Sequence, residues 1–305
     1  EQMTMFGNQL TEIRKKDVVV LEDFGKRKGG MWEIRRVQYR KEELISKTFK
    51  PPRMSAYMSE DIGQELVHLS SLRHEHIAAI RAVSPKFPEI SFFFTPATSL
   101  YQKLHGEAFD VEDMSENGGA PSTGSVNNNS SRISSGTRFE IKTKLAWALQ
   151  VASGLVYCHA QDPPRYHGHL SSQNVLIDEN DQAKIADLGF HELKKYAILT
   201  NRCNFKSAWT APEILAADEN TFGSRKADVY SFGILVWELI TEMVPFTVSL
   251  KKLHQLVVEK EQRPKIPHDT PREVIQIIRA CWQPDPLKRP EMSVVFRKLE
   301  TYLSQ

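Results

Sequence analysis

The order of hydrophobic patterns along this chain predicts an α+β fold in two lobes, strand-rich first and helix-rich second. Short apolar runs bounded by glycine, proline and charge fill residues 17–95, whereas stretches with apolar residues three and four apart dominate from 141 onward. Between these regions, residues 115–137 turn to Ser, Asn and Gly with almost no apolar material. Such a tract cannot bury enough surface to offset ordering entropy, so it reads as a disordered insertion in the second lobe. The expected divisions are an N-terminal extension at 1–16, a first lobe with its hinge at 17–95, and a second lobe at 96–305.

The first elements are strands. Val18–Leu21, Trp32–Tyr39 and Leu44–Phe49 carry β-branched and aromatic residues, and Pro51-Pro52 ends the third because proline supplies no ladder amide. Residues 59–72 then switch to helical spacing, with Ile62, Leu66, Leu69 and Leu72 on one face. Ile90–Phe94 is apolar at nearly every position and reads as a buried strand leading to a connector. Past the insertion, 141–159 is a strong helix through Leu145, Leu149, Ala152, Leu155 and Val156. Short strands at 175–177 and 183–185 flank an Asp178–Asp181 turn. A buried helix from Val229 to Ile240 and helices near 249–259, 271–282 and 291–302 complete the pattern.

Bulk properties exclude several classes. Apolar residues make up 40% and charged residues 26% of the 305, and the net charge of +2 predicts no general attraction to nucleic acid. No apolar run approaches the roughly 20 residues of a membrane span, and the N-terminus carries no secretory apolar segment. A cytoplasmic or nucleocytoplasmic chain is the simplest reading. The three cysteines, Cys158, Cys203 and Cys281, lie too far apart for a zinc or iron–sulfur grouping.

The chemistry-bearing residues fall in a fixed order. Gly25-Lys-Arg27-Lys-Gly-Gly30 precedes Trp32, Lys47 lies on the third strand, Glu65 on the following helix, and Phe92 on the buried strand. His167-Gly-His169-Leu-Ser-Ser-Gln-Asn174 and Asp187-Leu-Gly189 come later. They are followed by Trp209-Thr-Ala-Pro-Glu213, Asp228-Val-Tyr-Ser-Phe-Gly233 and a Cys281-Trp segment ending in Arg289-Pro290.

Taken together these blocks resemble the tyrosine-kinase-like branch of protein kinases over residues 17 to 303, and so imply a two-lobed protein kinase-like fold. The layout is similar to integrin-linked pseudokinases, with a germ-cell ankyrin-repeat pseudokinase of intercellular bridges as a weaker likeness. The latter adds an intercellular-bridge association to the expectation of a cytoplasmic chain with nuclear access.

The resemblance implies a site. ATP would be received by Gly25, Arg27 and Gly30, whose loop is altered because Arg27 replaces a glycine and either obstructs a phosphate or meets it directly. Lys47 would reach the phosphates with Glu65 as its ion-pair partner, and Phe92 would stand at the back of the nucleotide pocket or simply fill core. Asp187 and Asn174 would hold magnesium. Glu213 and Arg289 would form a buried structural pair, with Asp228 opening the buried helix. His169 stands where the family has its catalytic aspartate, Gly168 replaces an arginine, and Ser171 replaces a lysine common among its Ser/Thr members.

Those departures lead to the expectation of a catalytically impaired pseudokinase, a protein-interaction scaffold or conformational switch that binds ATP without efficient transfer. Its partners would be other proteins met through lobe surfaces such as Pro245-Phe246 and the helix at 249–259. The alternatives are a divergent, low-activity Ser/Thr or Tyr kinase, and a purely structural domain without nucleotide binding.

Overall fold

A computed structural model describes residues 11–26, 31–50, 62–65, 67, 69, 71–84, 89–106, 138–199, 205–218, 221 and 223–305. The expected insertion at 115–137, Leu66, Cys203 and the loop residues Arg27 and Gly30 lie outside them. The chain divides into two compact units, Glu1–Thr98 with Leu176–Asn204, and Ser99–Val175 with Phe205–Gln305.

The first unit is built on a sheet of six strands, β1 (Thr11–Glu12), β2 (Val19–Lys26), β3 (Glu33–Tyr39), β4 (Glu42–Phe49), β5 (Ala82–Ser84) and β6 (Ile90–Phe94). Their spatial order is β1-β5-β6-β4-β3-β2, with β1 parallel to β5 and the remaining pairs antiparallel. Period-two alternation sorts β4 between the two faces of the sheet. Leu44 joins Ile13, Val37, Ala82 and Phe93 in one buried cluster. Lys47 lies on the opposite face, in register with Ile34 on one neighbour and Phe92 on the other. Residues 62–65, 67, 69 and 71 are helical, and Ile62, Leu69 and Leu72 are buried as the spacing predicts. Strands β7 (Val175–Ile177) and β8 (Ala183–Ile185) flank the turn whose Asp178 carboxylate accepts the N–H groups of Asn180 and Gln182. Backbone bonds from Ile185 to His76 and from Ala78 to Ile185 tie β8 to the segment after the helix.

The second unit is helical. Its short α1 (Leu100–His105) starts with a reciprocal cap, in which the Ser99 hydroxyl and the Gln102 side chain each serve the other's backbone N–H. The long α2 (Ile141–His159) and α5 (Arg225–Thr241) form its centre, and every residue from Ala227 to Ile240 is buried. Around them stand α4 (Pro212–Ala216), α6 (Leu250–His254) continuing into a π turn, α7 (Arg272–Cys281) and α8 (Met292–Leu303). Helix α3 (His191–Leu199) belongs to the first unit, and neither it nor α1 and α4 stands out in the hydrophobic periodicity. Burial pushes the Cys158 and Cys281 thiols up to about 12, which makes both small core residues. Among the described residues no helix is long and apolar enough to cross a membrane.

Candidate functional site

In the first unit the site is organised by two charges. The Lys47 ammonium lies 2.6 Å from Asp187 Oδ1, and both side chains are largely buried, at 15% and 11% exposure. The ammonium also sits 5.7 Å from the Phe94 ring centroid, on the same face of the sheet. Asp187 is held by unusual backbone: Asp187, Gly189 and Phe190 have φ of 57°, 72° and 55°. Left-handed backbone at a residue with a Cβ costs roughly 1–2 kcal/mol, so Asp187 and Phe190 are strained and kept there by their surroundings. Glycine at 189 avoids both the cost of left-handed backbone and a Cβ 2.6 Å from Leu69 Cδ2.

The expected ion pair between Lys47 and Glu65 is not the one formed. Glu65 instead accepts the backbone N–H groups of His191 at 2.6 Å and Glu192 at 3.1 Å, the first two residues of α3. A helix start presents unsatisfied N–H groups and a positive dipole end, so a carboxylate has two directed partners there. Burial pushes the Glu65 carboxyl up, against the lowering effect of those two donors. Lys47 has its counter-charge in Asp187, and the Lys194 ammonium reaches the Asp187 carbonyl at 3.3 Å.

Beside these charges lies an aromatic cluster. Trp32 meets Phe49, Phe92 and Phe190 edge-on with centroids 6.2, 5.7 and 5.2 Å away, and Tyr196 of α3 meets Phe49 at 6.1 Å. Phe92 is completely buried. Gly25 interrupts the β2–β3 register with φ of 70°, and its N–H donates to Asp23 Oδ1 at 2.9 Å.

In the second unit the loop from His167 to Asn174 is pinned at its start by Asp228. That carboxylate accepts the N–H groups of His167 at 2.7 Å and Gly168 at 2.9 Å, and faces His159 Nε2 at 2.9 Å. Burial pushes its carboxyl up, but the His159 hydrogen bond and the neighbouring imidazoles outweigh burial and hold it below the ordinary aspartate value. Gly168 has φ of 73°, and a Cβ on Gly223 would lie 2.9 Å from Gly168 Cα. Two glycines therefore let these backbones meet.

Asn174 turns its amide nitrogen inward, 2.9 Å from the His169 carbonyl and 3.2 Å from His169 Nδ1. The carbonyl fixes that nitrogen as the donor, so Nδ1 accepts and the neutral ring carries its hydrogen on Nε2. The His169 ring also packs edge-on against Phe205 at 5.5 Å. Ser171, at the position of the missing lysine, is buried.

Each unit carries one oxygen donor of the kind that binds magnesium alongside substrate phosphates, the Asp187 carboxylate in the first and the Asn174 amide in the second. Among the described residues no group of three or more His, Cys, Asp or Glu side chains could hold a metal unaided.

Elsewhere in this unit Arg289 donates to both carboxylate oxygens of Glu213 at 2.7 Å each. The sequence reading missed the role of Glu238, a fully buried carboxylate that accepts from His105, Ser172 and Trp209. A signal for it existed: an acidic residue inside the apolar run from Val229 to Ile240, where a charge must find partners.

Residues 16–299 match the family described as protein tyrosine and serine/threonine kinase. The chain is 27% identical to the serine/threonine-protein kinase STY17 of Arabidopsis thaliana over 91% of this chain and 43% of that protein. It is 30% identical to a probable serine/threonine-protein kinase of Dictyostelium discoideum, over 79% of this chain and 23% of that one. It is also 39% identical to the putative serine/threonine-protein kinase/receptor R826 of Acanthamoeba polyphaga mimivirus, over 52% of this chain and 9% of the relative. The chain thus spans less than half the length of each of these relatives. They overturn the expectation of a catalytically impaired interaction scaffold: each is named as a serine/threonine kinase, which favours the alternative of a divergent kinase. Kinases of this group use ATP and magnesium. With an α+β fold of a strand-rich sheet followed by a helical part, and with the family matched across nearly its whole length, this chain belongs to the protein tyrosine and serine/threonine kinase family.

Proposed function

We propose that the chain is a divergent protein kinase of the serine/threonine type, passing the terminal phosphoryl group of ATP to a hydroxyl on a protein substrate. The observation that carries this reading is the pair of Lys47 and Asp187, two largely buried charges brought to 2.6 Å from positions 140 residues apart. The relatives' names support the Ser/Thr assignment over a tyrosine one.

Magnesium bound with the nucleotide would neutralise charge on the phosphates; Asp187 in the first unit offers it a carboxylate oxygen and Asn174 in the second an amide oxygen. Lys47 is a compact point charge suited to a phosphate oxygen, and Asp187 holds it in place on the sheet face. Asn174 anchors the loop through its nitrogen while presenting its oxygen. His169 differs from the aspartate it replaces: its Nδ1 is occupied by Asn174, so its hydrogen sits on Nε2, as a donor. Proton acceptance at Nε2 requires the other tautomer and the loss of the Asn174 contact.

Phosphoryl transfer depends mainly on positioning and electrostatics, and a placed general base adds about 10²–10⁴-fold. Transfer is therefore expected, and expected to be slow by about that factor. The test is magnesium-dependent movement of label from γ-labelled ATP to a serine- or threonine-containing protein substrate. Wild type should label, Lys47→Ala and Asp187→Asn should not, and His169→Asp should accelerate the reaction. Wild-type labelling no greater than that of Asp187→Asn would end this reading.

A further inference from the structure

Helix α5 carries two buried carboxylates, Asp228 and Glu238, ten positions and so roughly 15 Å apart along the axis. Asp228 pins the start of the loop at His167 and Gly168, as described above. Glu238 does something different, and no residue of the proposed transfer machinery accounts for it. Its Oε1 accepts from the Ser172 hydroxyl at 2.7 Å and faces His105 Nε2 at 2.9 Å, and its Oε2 accepts the Trp209 indole N–H at 2.8 Å. These donors come from three separate segments: α1, the 3₁₀ turn Ser172–Asn174, and the stretch before α4. Two turns earlier on the same helix, the Ser231 hydroxyl donates to the Trp209 carbonyl at 2.8 Å, so α5 grips Trp209 at its side chain and its backbone.

A carboxylate with no exposed surface carries a heavy desolvation cost, and an apolar side chain of similar volume would often serve stability as well or better. What an apolar side chain cannot do is fix three donors at once. We infer that Glu238 is a positioning residue: through Ser172 it sets the turn that ends in Asn174, and through Trp209 it couples that turn to the segment preceding α4. Ser172 is the first residue of the turn and Asn174 the last, so a displaced hydroxyl displaces the magnesium-ligating oxygen two residues on. The inference rests on the kinase reading for the ligand role of Asn174, and on hydrogen bonding alone for the coupling to Trp209.

The decisive variant is Ser172→Ala, which deletes one oxygen, with Glu238→Gln as a second that keeps the shape. In the full chain, titration calorimetry with ATP is run with and without magnesium chloride, alongside the folding midpoint and the Trp209 indole N–H resonance. Removing a residue that orients a metal ligand typically weakens metal affinity by about 10–100-fold. Ser172→Ala should therefore weaken magnesium binding to the ATP-loaded chain at least tenfold, leave magnesium-free ATP affinity within about twofold, and shift the Trp209 resonance. A lowered folding midpoint with magnesium affinity within twofold of wild type would reduce Glu238 to a structural group and overturn the inference. An unmoved Trp209 resonance would overturn the coupling. If wild type shows no magnesium-dependent nucleotide binding, the kinase reading falls, and with it the ligand role of Asn174. The resonance then judges the coupling on its own: a shift supports it, and no shift overturns it.

Discussion

Replacing Glu65 with alanine isolates the contact that most distinguishes this structure from the ion pair expected on sequence. The carboxylate caps α3 through two N–H groups, at 2.6 and 3.1 Å. Losing a cap of this kind costs about 0.5–2 kcal/mol. Losing a negative charge at a helix start adds about 0.3–1 kcal/mol. Opposing both is burial, which pushes the carboxyl up and means that the ionised cap already carries a desolvation cost. The net local loss is then about 1–2 kcal/mol, which corresponds to about a five- to thirtyfold rise in local opening. Hydrogen exchange followed by mass spectrometry over residues 191–199 reads that change directly. Glu65→Gln, which keeps one acceptor oxygen, should fall between alanine and wild type. If exchange across 191–199 stays within twofold of wild type in Glu65→Ala, the cap does not hold α3, and the account of why Lys47 and Glu65 lie apart is wrong.

Other perturbations have outcomes fixed by the same geometry. Gly168→Arg, which restores the residue usual in the family, should lower unfolding free energy by about 1–2 kcal/mol in denaturant melts, because φ of 73° suits glycine. Glu213→Ala leaves the fully buried Arg289 guanidinium without its counter-charge, and the expected loss is about 3 kcal/mol, at the lower end for a broken buried pair because Glu213 is 28% exposed. Asp228 titrates below its ordinary value of 3.8 in the folded chain, so the unfolded chain takes up the proton first as pH falls. Its stabilisation is complete above about 3.8 and is lost as pH drops through the folded value, so Asp228→Asn should flatten the acid limb of a stability-versus-pH profile.

How much of this was readable in the sequence depends on the range over which each feature is decided. The helix from Ile141 to His159 and the one from Arg225 to Thr241 are set by local apolar spacing or by a sustained apolar run, and both were readable nearly to their ends. Helix α3 was not. His191–Leu199 mixes two lysines, a glutamate and a histidine with a few apolar residues, and part of what makes it a helix is a cap from Glu65, 126 residues away in the chain. Helix α1 is shorter still, and its start is fixed by a reciprocal pair of hydrogen bonds between Ser99 and Gln102.

The candidate site divides along the same line. Residue identities were readable because Lys47, Asn174 and Asp187 sit inside ordered blocks; their partners were not, because partner choice is a competition that sequence order does not rank. Glu65 has two claims on it, one from an ammonium on β4 and one from the bare N–H groups of α3. The ammonium has its own alternative in Asp187, so satisfying Glu65 at the helix start leaves no charge stranded. The same reasoning applies to His169. Losing an aspartate there suggests a dismantled site when read as a letter, but the loop it belongs to is held by two buried carboxylates, Asp228 at its start and Glu238 at Ser172, and by the Asn174 amide on the His169 carbonyl. What the Glu238 carboxylate adds is hydrogen bonds to Ser172 and Trp209, which a leucine filling the same volume could not make.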